Sequence, residues 1–206
     1  MKLLLGLIVL LWLPWVGAAE TYKWSDGQGD RAVVTHPGVP KEPNLARAFK
    51  ARFFPKPERL RDPDFMVDWD TTVEVGRSTP LFFSAVSRGL TLYKDSKGQV
   101  VGAHPGKIME TLTWDVRKKQ EVTLEQLIDR AQFSKLARLI GDHAETREAF
   151  SPQARYGFYL RKDGVAFYDP DAPHVSFGIE SVVPYAELLP LAAPHSPLLE
   201  AGVSGH

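Results

Sequence analysis

The sequence predicts an α+β domain, an antiparallel sheet of about five or six strands with helices packed on one face. Three observations lead there. Runs rich in strand formers, with bulky residues alternating with small or polar ones, recur at Phe65–Val75, Ser84–Tyr93 and Lys107–Trp114, the pattern of half-buried strands. A capping-box pattern at Thr123-Leu-Glu-Gln126 leads into apolar residues at helical spacing. Short polar turns at Lys94–Gly98 and Lys162-Asp163-Gly164 join neighbouring strand-like runs, and connections that short suit antiparallel pairs.

The N-terminus reads as a secretory leader over residues 1–19. Lys2 supplies the positive start, Leu3 to Leu13 is apolar apart from Gly6, and Gly17-Ala18-Ala19 offers small residues for cleavage before Glu20. The uncharged stretch from Leu3 to Ala19 is at or below the ~17–25 residues a spanning helix needs, so no membrane span is expected after processing. Residues 20–60 form an N-terminal piece. Within it, Thr21–Thr35 reads as a hairpin turning at Asp26–Gly29, and His36–Pro43 is a proline-rich connector. Asn44 is the expected N-cap of a short helix over Leu45–Phe54, stopped by Pro55 and Pro57.

Residues 61–194 form the main domain. Phe65, Val67, Trp69, Thr71, Val73 and Val75 make one face of its first strand; Asp68, Asp70 and Glu74 make the other, which reads as a solvated face rather than a pair of catalytic acids. The next strand, Ser84–Tyr93, turns at Lys94–Gly98. The chain then extends at Val100 and Val101, breaks at Gly102 and Pro105, and extends again to Trp114. After the Thr123 cap, Leu127, Ile128, Phe133, Leu136, Ala137, Ile140 and Ala144 make two helical pieces bent near Ala131–Ser134. Tyr156–Leu160 and Gly164–Tyr168 form a hairpin in which Gly164 supplies the positive φ of a tight turn. Asp169–Pro173 turns the chain into a last strand over Val175–Val183, and Tyr185–Leu191 makes a short helix or turn. Residues 195–206 read as a flexible tail.

Composition narrows the function. The formal charge of +0 gives no pull toward nucleic acid, and the absence of cysteine excludes disulfides, thiolate metal sites and a cysteine nucleophile. Removing the leader takes away Lys2 alone among charged residues, so the mature chain stays nearly neutral. Six histidines occur, His36, His104, His143, His174, His195 and His206, and no two have the spacing of a helical zinc pair. No nucleophile-elbow, Walker or dinucleotide-glycine pattern occurs. Hence neither a metal nor a cofactor is expected.

The order of a strand, Gly102-Ala-His104, a second strand, Trp114-Asp115 and a Thr123-Leu-Glu-Gln-Leu127 helix is similar to a known family. Phe158-Tyr-Leu-Arg-Lys-Asp-Gly-Val-Ala-Phe-Tyr168 and Gly178-Ile-Glu-Ser-Val-Val-Pro-Tyr-Ala-Glu-Leu188 extend the likeness, which covers Phe65 to Leu191. The family is that of the RsiV-like extracytoplasmic domains, shared by lysozyme-sensing anti-sigma factors and accessory regions of secreted peptidoglycan deacetylases. Two departures stand out. Val101 precedes Gly102 where the family often carries another glycine, and Tyr168-Asp-Pro-Asp-Ala-Pro-His174 replaces its late aromatic-Pro-Tyr segment.

The resemblance implies a secreted or periplasmic, non-catalytic binding module that recognises a protein partner, such as a muramidase, or cell-wall peptidoglycan. The candidate binding residues are His104, Tyr168 and Asp171. His104 lies in the Gly-Ala-His turn, where its ring either fixes the turn or binds a ligand; Tyr168 and Asp171 belong to an aromatic and acidic edge. The alternative is a small cell-envelope hydrolase in which His104 works with Asp115 or Asp171 as acid–base or metal groups, with His174 as a further partner.

Overall fold

The computed structural model describes residues 18–60, 62, 64–144, 155–172 and 177–201; of Pro57, Arg59, Ala103, His104, Glu200 and Ala201 it describes the backbone alone. The leader expected over residues 1–19 therefore lies almost wholly outside the described residues.

Strands β1 (Glu20–Ser25) and β2 (Arg31–His36) form the expected hairpin. Asp26 makes the turn, its Oδ1 accepting the N–H groups of Gln28, Gly29 and Asp30 at 2.7–3.1 Å. The hairpin is not a separate piece. β2 runs parallel to β3 (Met66–Ser78), from Arg31 opposite Asp68 to Thr35 opposite Thr72, and the buried Asp30 carboxylate accepts the Val67 N–H at 2.7 Å. The crossover between these parallel strands carries α1 (Pro43–Phe53) and the short α2 (Pro57–Leu60). Glu42, not Asn44, caps α1: its carboxylate accepts the Leu45 N–H at 2.6 Å, while Asn44 lies in the first turn and donates to Glu42. Pro43 at the first helical position explains the earlier start, since proline's fixed φ suits that place and no N–H is lost there.

β3 pairs antiparallel with β4 (Phe82–Lys94), β4 with β5 (Val100–Asp115), and β5 with the two-residue β6 (Gln120–Glu121). The result is a six-stranded sheet in the order β1-β2-β3-β4-β5-β6, antiparallel but for β2 and β3. The α+β class read from the sequence holds. The expected break at Gly102 and Pro105 is instead an irregularity inside one continuous strand. Thr91 pairs with Gly106 and Tyr93 with Val101, so Leu92 alone opposes Gly102–Pro105. A bulge of this kind places Pro105 where the ladder asks for no N–H.

A second, three-stranded antiparallel sheet follows, with β7 (Gly157–Leu160), β8 (Gly164–Tyr168) and β9 (Glu180–Pro184) in that order. Before it come α3 (Leu124–Leu127), a 3-10 turn at Arg130–Gln132, and α4 (Phe133–His143), close to the two bent pieces expected. Thr123 begins them as read: its N–H donates to Gln126 Oε1 at 2.9 Å within a capping box. Gly164 plays a different part from the one expected. It has no positive φ; a Cβ there would lie 2.3 Å from the Val183 carbonyl oxygen, so the glycine lets β8 approach β9.

Alternation along the strands sorts the core into layers. Val73, Phe83, Ala85, Leu112 and Trp114 pack against Leu45, Phe49 and Phe53 of α1 on one face of the large sheet. On the other face, Val86 and Met109 meet Tyr159, Ala166 and Tyr168 of the small sheet. The far side of the small sheet, with Leu160, Val165, Phe167 and Val183, packs on Leu136 and Ile140 of α4 and on Leu127, Leu188, Leu191 and Leu198. The layers therefore run helix, sheet, sheet, helices, and the helical cover lies on both outer sides.

Over residues 195–201 the C-terminal segment corrects the flexible-tail reading, and residues 202–206 lie outside the described residues. After α5 (Tyr185–Leu188) and a 3-10 turn at Leu189–Leu191, the Ala193 N–H and the Ser196 hydroxyl both donate to the Leu127 carbonyl, at 3.2 and 2.6 Å. Helix α6 (Pro197–Ala201) then buries Leu198 completely. Its isolated apolar residues, set among small ones, hide this packing from the sequence.

Candidate functional site

The small sheet covers only part of its side of the large sheet. Beyond it lies an uncovered stretch built from Arg31 and Val33 of β2, Asp68, Asp70 and Thr72 of β3, and Arg88, Leu90 and Leu92 of β4, which together line a groove of about 320 Å³. Period-two alternation sends their side chains to the same face, and the register sets Asp70 opposite Leu90 and Asp68 opposite Leu92. Trp69 of β3 points the other way. Trp24 and Trp69 pack with Ala32, Leu60 and Val67 on the helix side.

Two ion-pair groups bound the groove. At one end Asp68, only 4% exposed, meets Arg31 Nε at 2.8 Å and Lys94 Nζ. Burial pushes the Asp68 carboxyl up, but Lys94 and Arg31 outweigh it and hold the pKa below the ordinary aspartate value. At the other end the Arg88 guanidinium donates to Glu74 Oε2 at 2.8 Å, to Glu180 Oε1 at 2.5 Å and to the Tyr159 hydroxyl at 2.8 Å, while that hydroxyl donates to Glu180 Oε2 at 2.9 Å. Burial opposes the Arg88 charge, yet Glu180 overcomes it and raises the pKa. Burial first, then Glu180, pushes the Tyr159 hydroxyl up as well. This group links β3 and β4 of the large sheet to β7 and β9 of the small one. Between the two ends stands Asp70, exposed and flanked by Val33 and by Leu90, which is 44% exposed.

The residues proposed from sequence lie elsewhere. His104 is in the bulged part of β5, and its side chain lies outside the described residues, as does the whole of His174. Tyr168 is a core residue, 6% exposed; its ring fills the space over Gly157, where a Cβ would lie 2.2 Å from it, and its hydroxyl is 3.4 Å from Thr111 Oγ1. The alternation that marked it as part of a binding edge turns it inward between the sheets. Asp171 is exposed on the turn after β8 and donates its N–H to Asp169 Oδ1 at 2.9 Å. Asp115 is buried, and its Oδ1 accepts the N–H groups of Arg117 and Lys118 at 2.9 Å, which closes the turn after β5. A smaller depression of about 240 Å³ joins Asp115 to Lys118, Glu125 and His195 rather than to Asp171. Among the described residues no three histidine or carboxylate side chains come together as metal ligands.

Sequence reasoning placed Asp68, Asp70 and Glu74 on one face correctly and dismissed that face as merely solvated. It missed Arg31, Lys94, Arg88, Tyr159 and Glu180 because they reach the groove from separate strands. The signal available was the alternation of β4, which sets Arg88, Leu90, Leu92 and Lys94 on one face.

No family model matches the chain, and no curated protein matches it in sequence. Solved structures do. A DUF3298-family protein from Bacteroides fragilis superposes with a TM-score of 0.61 at 13% identity, over 92% of this chain and 99% of that one. A DUF3298-family protein from Pseudomonas aeruginosa gives a TM-score of 0.52 at 16% identity, over 86% of this chain and 93% of the other. The chain thus has the fold of these DUF3298-family proteins.

Proposed function

We propose that this chain is an exported, non-catalytic binding module of the RsiV-like type that docks a protein partner on the uncovered face of its large sheet. The observation that carries this reading is that face: Leu90 and Leu92 stand in the groove between two fixed ion-pair groups, while the neighbouring parts of the large sheet are packed. Apolar side chains left open beside a polar rim are the make-up of a protein-binding surface. The side chains that face the groove from β2, β3 and β4 bring no aromatic ring, since Trp69 of that stretch packs on the helix side, which favours a protein over a glycan, because sugar rings bind by stacking on aromatics. The leader pattern at Lys2–Ala19 supports export, and the resemblance to RsiV-like domains makes a muramidase the first partner to try.

The mature chain from Glu20, immobilised, is expected to retain a partner from envelope extract or a purified muramidase, and Leu90→Glu is expected to lose it. Retention unaffected by Leu90→Glu, or binding only to insoluble peptidoglycan, overturns the reading. The hydrolase alternative needs His104 to act with Asp115 or Asp171, and the engagement of Asp115 with its own turn weighs against it.

A further inference from the structure

We infer that the groove seats the cationic end of a lysine or arginine side chain presented by the protein partner, with Asp70 as the group that recognises it. This inference rests on the docking face proposed above and adds to it the chemistry of the group bound there.

Asp68 is neutralised by both Arg31 and Lys94. Arg88 is shared between Glu74 and Glu180. Each cation lining the groove therefore already faces a carboxylate. Asp70 differs: among the described residues it makes no ion pair and no side-chain hydrogen bond, and it is exposed between Val33 and Leu90. An uncommitted carboxylate with aliphatic neighbours complements a charged head on an aliphatic stem, because lysine and arginine lay their methylenes along apolar surface and keep the charge at the tip. Val33, Leu90 and Leu92 would take the stem and Asp70 the head. An anion finds no unmatched cation there, and a wholly apolar group would leave Asp70 unpaired, at a cost in desolvation.

The test is an NMR titration of the mature chain with a tetralysine peptide capped at both ends, beside the same peptide acetylated on each lysine Nε. Tetralysine is expected to shift the amides of Val33, Thr72, Leu90 and Leu92 to saturation. Asp70→Asn should weaken its binding by about fivefold, the effect of losing one exposed charge pair. The acetylated peptide should bind no better to wild type than tetralysine binds to Asp70→Asn, and Glu58→Gln, at an exposed carboxylate on α2, should change nothing. Equal affinity of the two peptides, shifts scattered over other carboxylates, or no effect of Asp70→Asn overturns the inference. If Leu90→Glu abolishes partner retention while Asp70→Asn alters neither the partner nor the peptide, the docking face stands and this inference falls.

Discussion

Arg88 Nη2 lies 2.5 Å from Glu180 Oε1 and ties the middle of the large sheet to the first residue of β9 in the small one. The pair matters because these sheets come from distant stretches of chain and meet otherwise through apolar contacts and a few polar ones, among them the Ser84 hydroxyl, which accepts the Leu160 N–H at 2.8 Å, and the Thr111 and Tyr168 hydroxyls, 3.4 Å apart. Replacing Arg88 by methionine keeps most of the stem and removes the charge, leaving Glu180 largely buried beside Tyr159. The expected loss is about 1–3 kcal/mol, below the range for a fully buried pair because Arg88 is partly exposed. Urea midpoints of wild type and Arg88→Met measure it, and equal midpoints would show that the pair adds nothing to sheet docking.

His36 gives the fold a dependence on pH. Its ring is buried against Phe49 and Phe54, and its Nδ1 accepts the Gly38 N–H at 3.1 Å, an arrangement that requires Nδ1 to be unprotonated. Burial lowers its pKa from the ordinary 6.5, against the attraction of Glu20 across the hairpin. The unfolded chain then takes up the proton first as pH falls. Stability from this group is complete above the unfolded value and is lost as pH drops toward the folded one. Unfolding by urea at about pH 7.5 and about pH 5.5 should show a loss of stability that is smaller in His36→Phe. Identical pH dependence in the two proteins contradicts this.

The C-terminal segment is structural. Leu198 is fully buried among Leu127, Leu188 and Leu191, so Leu198→Ala should cost about 2–5 kcal/mol. A chain ending at Pro194 should be destabilised as well, since it also loses the Ser196 bond to Leu127. Thermal unfolding of both checks this, and a truncated chain as stable as wild type would restore the flexible-tail reading.

Export has its own measurement. Mass spectrometry of the protein from its native envelope is expected to find a chain beginning at Glu20 or within a residue or two of it. A chain beginning at Met1 in the membrane fraction contradicts cleavage.

Much of the fold was legible where local pattern and tertiary burial agree. The alternation of Val67, Trp69, Thr71, Val73 and Val75 gave β3, the Thr123–Gln126 box marked the start of α3, and Lys162-Asp163-Gly164 gave the second hairpin. What escaped depends on long-range pairing. Nothing near Arg31 announces that β2 will lie parallel to β3, and that pairing is what brings Arg31 to Asp68. The candidate site was half visible: its acids were placed on one face, but a carboxylate's importance depends on which neighbours are already matched, and Lys94 and Arg88 arrive from β4. Tyr168 was misjudged because alternation gives two faces without saying which is covered; here both faces of the small sheet are packed.

Photo-crosslinking in the native envelope shows whether the uncovered face docks a protein. A benzophenone amino acid is placed at Leu90 in the groove or, as a control, at Lys135 on the exposed side of α4. One discrete protein adduct is expected from position 90 and none from position 135. An adduct from Lys135 with none from Leu90 would contradict docking on that face.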